Sequence, residues 1–196
     1  MLAVTSCLLA ATAQARDTVL VLGDSISAAY GMQLEQGWVS LLDARLQKEQ
    51  PTYRVINASI SGETSGGGLR RLPDLLSEHA PKVVIIELGG NDGLRGYPVK
   101  QLRDNLKQLI RLSEEAAARV LLLPMEIPPN FGKFYTDAFR ASFTEATENS
   151  TAILAEFPLA SVALETTLMQ TDGIHPTAEA QPIILESVWK TLESML

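Results

Sequence analysis

Ser25 closes an apolar run in "TVLVLGDSISAAYG" (18–31), and the 196-residue chain has only two histidines that could serve it. A serine hydroxyl is a weak nucleophile unless an imidazole within hydrogen-bond reach takes its proton. His79, in "LLSEHAPK", falls at the end of a helical segment, where the helix dipole favours a cation and a structural role suffices. His175, in "TDGIHP", is therefore the candidate general base. Asp172, three residues earlier, can accept from the far ring nitrogen, hold the tautomer and stabilise the imidazolium. Acyl transfer further needs preorganised donors for the negative oxygen of a tetrahedral intermediate. The candidates are the Ser25 amide, the Gly62 amide in "ASISGETSGGG", which has no side chain to obstruct a substrate, and the Asn91 carboxamide in "GGND". Taken singly, each stretch also reads as an ordinary turn. Together they fill every role that acyl transfer requires.

Residues so far apart in sequence need a scaffold that gathers them. Apolar runs at "TVLVL" (18–22), "YRVINAS" (53–59), "KVVIIELGG" (82–90) and "RVLLLPM" (119–125), with a weaker one at "TAILAEF" (151–157), are continuous rather than alternating. That pattern suits strands buried on both faces of a parallel sheet. Between them lie segments with helical spacing: "GWVSLLDARLQKEQ", "GGLRRLPDLLSEHA", "VKQLRDNLKQLIRLSEEAAA" and "FGKFYTDAFRASFTEATENS". A last helix is expected from Pro176, with a bend at Pro182. The fold class is α/β, a three-layer α/β/α sandwich on a mostly parallel five-stranded sheet. In such sheets ligands bind at the carboxyl ends of the strands, and each candidate above follows a strand or precedes the last helix. The conventional Gly-x-Ser-x-Gly elbow is absent, because position 27 is Ser27.

Composition narrows the field. With 46% hydrophobic and 20% charged residues, the chain suits one globular domain over 16–196. A net charge of −7 without any Lys/Arg run excludes the phosphate-neutralising surface of a nucleic-acid binder. No apolar run in the body reaches bilayer-spanning length, so at most peripheral membrane contact is expected, and the chain is expected to act as a monomer. Residues 1–15, "MLAVTSCLLAATAQA", read as a signal peptide ending in a small-x-small site at Ala13-Gln14-Ala15, although no Lys or Arg precedes the apolar run. "VTSC" also resembles a lipid-attachment box at Cys7, with too few residues before it for the usual apolar segment. Cleavage after Ala15 leaves no cysteine, which suits a periplasmic or secreted protein.

Other residues support rather than react. Glu87, costly to bury unpaired, is expected to hydrogen-bond near its strand end; Asp92 anchors the Asn91 loop; Trp38 and Trp189 belong to the core. Leu94, Tyr97, Ile127 and Phe131, in "LRGYP" and "MEIPPNF", are candidates for an acyl groove, the alternative being that they pack these loops onto the core. Gly66, Gly67 and Gly68 either loosen the second loop or allow close packing. A metal-dependent phosphoesterase also uses Gly-Asp and Gly-Asn-Asp turns, but needs more ligands than two histidines provide. A lipid-binding module without turnover is the non-enzymatic alternative.

The ordered set "GDSIS", "SISGETSGG", "ELGGNDGLRG" and "DGIHP" resembles the blocks of the SGNH or GDSL hydrolases, and covers almost all of the chain after residue 15. "NASISG", "RLP", "IPPNFG" and "DGIHP" followed by "QP" are especially similar to the bacterial periplasmic thioesterase and lysophospholipase branch. The resemblance implies Ser25, Asp172 and His175 as catalytic residues and Ser25, Gly62 and Asn91 as the oxyanion hole. It also implies a flavodoxin-like sandwich, no metal or other cofactor, and broad activity on small-molecule acyl esters and thioesters, with carbohydrate or short-chain acetyl esters as the alternative substrates. Glu126, in "PMEIPPNFG", departs from the family pattern, in which an uncharged or basic residue is expected, and bears on substrate preference rather than on the chemistry.

Overall fold

The computed structural model describes residues 16–196; the expected signal segment 1–15 and Cys7 lie outside the described residues. Five strands, β1 (Asp17–Gly23), β2 (Tyr53–Asn57), β3 (Val83–Glu87), β4 (Arg119–Leu122) and β5 (Ile153–Leu154), form one sheet in the order β2-β1-β3-β4-β5. Every pairing is parallel, with Gly23 opposite Glu87 at the carboxyl ends of the two central strands. All residues of β3 are buried, as are all but the first of β1. A Val/Ile/Leu run with no polar face can be satisfied only between two helical layers. Helices α1 (Trp38–Glu49) and α6 (Gln181–Leu192) pack together on one side; α2 (Ser65–His79), α4 (Val99–Glu115) and α5 (Lys133–Thr147) form the other. In α4 the buried residues Leu102, Leu106, Leu109 and Ile110 recur at three- and four-residue spacing, so a single stripe meets the core. Trp38 and Trp189 are both buried, the latter beneath the Arg45 guanidinium at 4.0 Å.

Two local readings change, and one left open between alternatives narrows. Gly90–Leu94, expected as loop, is a short helix, α3, entered through Gly89 at φ 118°; only glycine turns there without strain. The last helix begins at Gln181 rather than Pro176, which instead bridges to Met169, and Pro182 occupies its first turn, where a bend is not required. Early in a helix proline forfeits no hydrogen bond, because those N–H groups have no intrahelical partner. Gly66, Gly67 and Gly68 lie inside the first turn of α2, and a Cβ on Gly68 would overlap the Leu88 side chain. Gly68 therefore serves close packing of α2 against the end of β3, and Gly67 leaves room for the Glu63 carboxyl.

Candidate active site

The strand order reverses direction between β1 and β3, and crevices in such sheets open there. Ser25 follows β1, Gly62 follows β2, Asn91 follows β3 on α3, and Asp172 and His175 sit in the loop before α6. The fold brings the serine and histidine, 150 residues apart, into contact: His175 Nε2 lies 2.8 Å from Ser25 Oγ. Its other ring nitrogen, Nδ1, lies 2.7 Å from Asp172 Oδ2. A carboxylate only accepts, so Nδ1 carries the hydrogen and Nε2 is left to accept from the serine hydroxyl.

Asp172 is itself pinned. Its Oδ1 accepts the amides of Ile174 (2.9 Å) and His175 (3.0 Å), closing a turn that makes acid and base one rigid unit. The hydrogen bond from His175, then these amides, hold its carboxyl down to about 2. The Tyr30 ring packs on the imidazole with centroids 4.4 Å apart, while Gln170 donates to the carbonyls of Tyr30 and Pro176 and binds the two loops together. His79 ends α2 beside Glu78, away from this site.

Gly62 adopts φ 79°, a conformation only glycine takes freely, and its carbonyl accepts from Arg95 Nη2 at 2.9 Å. Among the described residues, neither the Ser25 amide nor the Gly62 amide meets a backbone or side-chain acceptor, so both are available to a ligand. Asn91 Nδ2 donates one hydrogen to Asp24 Oδ2 at 3.0 Å, leaving the second free. Asp24 Oδ1 in turn accepts the Ile26 amide, a turn that shapes the backbone around Ser25. Burial raises the Asp24 carboxyl to about 6, against the opposing pull of the Ile26 and Asn91 hydrogen bonds and of nearby His175. Asp92 accepts from the Ser65 amide and hydroxyl at 2.8 and 2.5 Å, tying α3 to the start of α2. Among the described residues no group of three or more His, Cys, Asp or Glu is arranged to hold a metal ion.

A cavity of about 750 Å³ opens beside Ser25 and His175. Of the expected groove residues, Leu94 and Ile127 line it, whereas Tyr97 and Phe131 do not. The Tyr97 carbonyl accepts from the Tyr135 hydroxyl, and Phe131 stacks on the Tyr135 ring 6.2 Å away, so these two pack a loop onto α5. The sequence reading did not name the rest of the wall, chiefly Ile26, Met125, Phe157, Leu159, Leu164 and Met169. Several follow β5, whose two residues leave little strand signal to direct attention there. Glu126 stands on the rim and takes a bidentate pair from Arg140 at 2.7 and 2.6 Å, which supplies the charge partner its position needs.

A serine, an imidazole and a carboxylate in one hydrogen-bonded line, at the carboxyl edge of a doubly wound parallel sheet, form the arrangement of a serine hydrolase. The chain belongs to the GDSL-like Lipase/Acylhydrolase family, whose model matches residues 21–182. It is 50% identical over 182 residues to Esterase TesA of Pseudomonas aeruginosa, spanning 93% of this chain and 90% of that protein. It is 42% identical over 189 residues to Thioesterase 1/protease 1/lysophospholipase L1 of Escherichia coli K12, spanning 96% and 89%. Among solved structures it matches the psychrotrophic esterase EstA from Pseudoalteromonas sp., inhibited by monoethylphosphonate, with a TM-score of 0.87 and 47% identity over 91% of this chain and 97% of that one. The protein is accordingly an ester hydrolase of the serine type.

Proposed function

We propose that the protein hydrolyses acyl esters and thioesters with medium or long acyl chains through an acyl-enzyme on Ser25. The reading rests above all on one observation: the Ser25 hydroxyl, 2.8 Å from His175 Nε2, faces a cavity walled mostly by apolar side chains. Its volume of about 750 Å³ suits a small-molecule ligand, since such sites span about 300–1,000 Å³. Ser25 Oγ attacks the acyl carbon as His175 Nε2 takes its proton. The carbonyl oxygen gathers negative charge among the Ser25 amide, the Gly62 amide and the free Asn91 N–H. Asp172 stabilises the imidazolium, which returns the proton to the departing alcohol or thiol. Water then attacks the acyl carbon as His175 takes its proton, and the imidazolium passes that proton to Ser25 Oγ as the C–O bond breaks and the acid departs.

Ile127 and Leu94 form part of the acyl wall, so Ile127→Asp is expected to depress turnover of long chains more than of acetyl esters. A polar, open groove would favour carbohydrate deacetylation; the apolar wall argues against it. The chain acts as a monomer with at most peripheral membrane contact; among the described residues no helix is long and apolar enough to cross a membrane. Export to the periplasm or medium after removal of residues 1–15 completes the reading, supported by relatives that are bacterial esterases and testable by fractionating cells that express the full chain.

The test is turnover across an acyl-chain series, each chain offered as an oxygen ester and as a thioester, beside Ser25→Ala. A maximum at medium or long chains on both leaving groups is expected, with the alanine variant below about a thousandth of wild type. A maximum at acetyl would move the protein to the short-chain esterases, and serine-independent turnover would refute the mechanism.

A further inference from the structure

Glu87 occupies an unusual place for an acid. It ends the central strand β3, is 0% exposed, and stands opposite Gly23, the last residue of β1. A Cβ on Gly23 would come 2.7 Å from Glu87 Oε2, so glycine there makes room for the carboxyl. Oε2 accepts the Ser27 hydroxyl at 2.7 Å and the Asp24 amide at 3.2 Å, two groups that flank Ser25 in sequence. Oε1 is buried and meets no donor. An ionised carboxylate would leave that oxygen uncompensated next to Asp24, a second buried acid, which costs far more than burial of a neutral group. A carboxylic acid has no such difficulty, because its hydroxyl can donate to the Asp24 carboxyl. Burial, and then the charge of Asp24, push the Glu87 carboxyl well above the usual glutamate range. The charged or titratable groups acting on the pair are each other and His175 across the serine.

We propose that Glu87 is a positioning residue that works as a neutral carboxylic acid: it holds the Gly23–Ser27 turn by accepting from Asp24 and Ser27, and holds the Asp24 carboxyl by donating to it. Asp24 in turn fixes the Asn91 carboxamide, so the chain Glu87, Asp24, Asn91 carries order from the core to the oxyanion site without Glu87 touching substrate. A single negative charge on the pair, kept on Asp24, strengthens its bond to Asn91 as a charge-assisted one. The second proton on Glu87 prevents two adjacent buried charges. The inference rests on the proposed role of Asn91, and its test separates the two.

Glu87→Gln preserves shape, the accepting oxygen and a donor; Glu87→Leu preserves bulk alone. The glutamine variant is expected to keep kcat within about threefold, and the leucine variant to lose about a hundredfold in kcat with KM changed less than about twofold, as a displaced catalytic donor does. Infrared difference spectra of wild type against Glu87→Gln at pH 8 are expected to contain a protonated-carboxyl C=O band that the variant lacks, a readout independent of catalysis and of whether Glu87→Leu folds. An ionised-carboxylate difference instead of that band, or a glutamine variant as impaired as leucine, would overturn the proposal. So would a folded leucine variant with wild-type kcat. Loss of the role of Asn91 itself is detected separately: Asn91→Ala with unchanged kcat would refute the oxyanion reading while leaving the infrared band in place.

Discussion

Asp172, the proposed partner of His175, shows how little burial holds a carboxylate ionised when its hydrogen bonds are well aimed. Three donors, two of them backbone amides, hold it down to about 2, so it stays ionised wherever His175 is asked to accept a proton. Asp172→Asn keeps the shape but offers the imidazole an uncharged partner. A fall in kcat of about 10⁴ is expected, with a modest fall in Tm near neutral pH, because solvent around the exposed side chain screens the bonds that stabilise its charge. Steady-state kinetics beside a thermal melt check both halves. Asn91→Ala removes one proposed oxyanion donor and is expected to cost about 10²–10³ in kcat while KM moves little. His175 was legible as a candidate because histidine is scarce: with two in the chain and one of them ending a helix, elimination points to the other. Asp24 was not legible as a partner of Asn91. Its place in "GDS" says turn, and only the pairing of Gly23 with Glu87 and the packing of α3 behind Ser25 bring its carboxyl to the amide.

Among the elements, α2 is the one whose composition argues most strongly against its conformation. Three glycines in its first turn weaken it as an isolated helix, and Pro73 lies further along. What restores it is tertiary: Thr64 caps Gly67 at 3.2 Å, Asp92 binds Ser65, and Gly68 lets the helix approach Leu88 and Leu22. Gly68→Ala adds helix propensity but overlaps Leu88 at the end of β3. A net loss of about 1–3 kcal/mol is expected, measurable by denaturant unfolding; a stabilised variant would contradict the close-packing account. The continuous apolar runs made β1, β3 and β4 plain from sequence, and the 3.6-residue spacing did the same for α4. The start of α6 was misread because proline marks a first turn without saying which proline does so. Most of the cavity wall was also invisible, since it comes from the irregular segment after β5, where neither period applies.

At the scale of the molecule, the active edge stores acids that favour different pH ranges. Asp172, lowered to about 2 from an ordinary 3.8, contributes stability above about pH 4 that is lost only as pH falls toward 2. Glu87 and Asp24 have the opposite sign. Both bind protons more tightly in the folded state, so their contribution is complete below their ordinary values of 4.5 and 3.8. For Asp24 it is lost as pH rises through about 6, and for Glu87 it continues to fall well above the usual glutamate range. Relative to Glu87→Gln, wild type is therefore expected to lose up to about 1.4 kcal/mol per pH unit as pH rises above 4.5. Melting both proteins from pH 4 to 8 checks this, and a constant difference would contradict it.

The account stands or falls on Ser25 as nucleophile. The direct measurement is intact-mass spectrometry of wild type and Ser25→Ala after incubation with a p-nitrophenyl alkylphosphonate, followed by peptide mapping. One phosphonyl group per chain on the peptide that contains Ser25, none on the alanine variant, and release of one equivalent of p-nitrophenol are predicted. An unmodified wild type, or an adduct on any other residue, would contradict the mechanism.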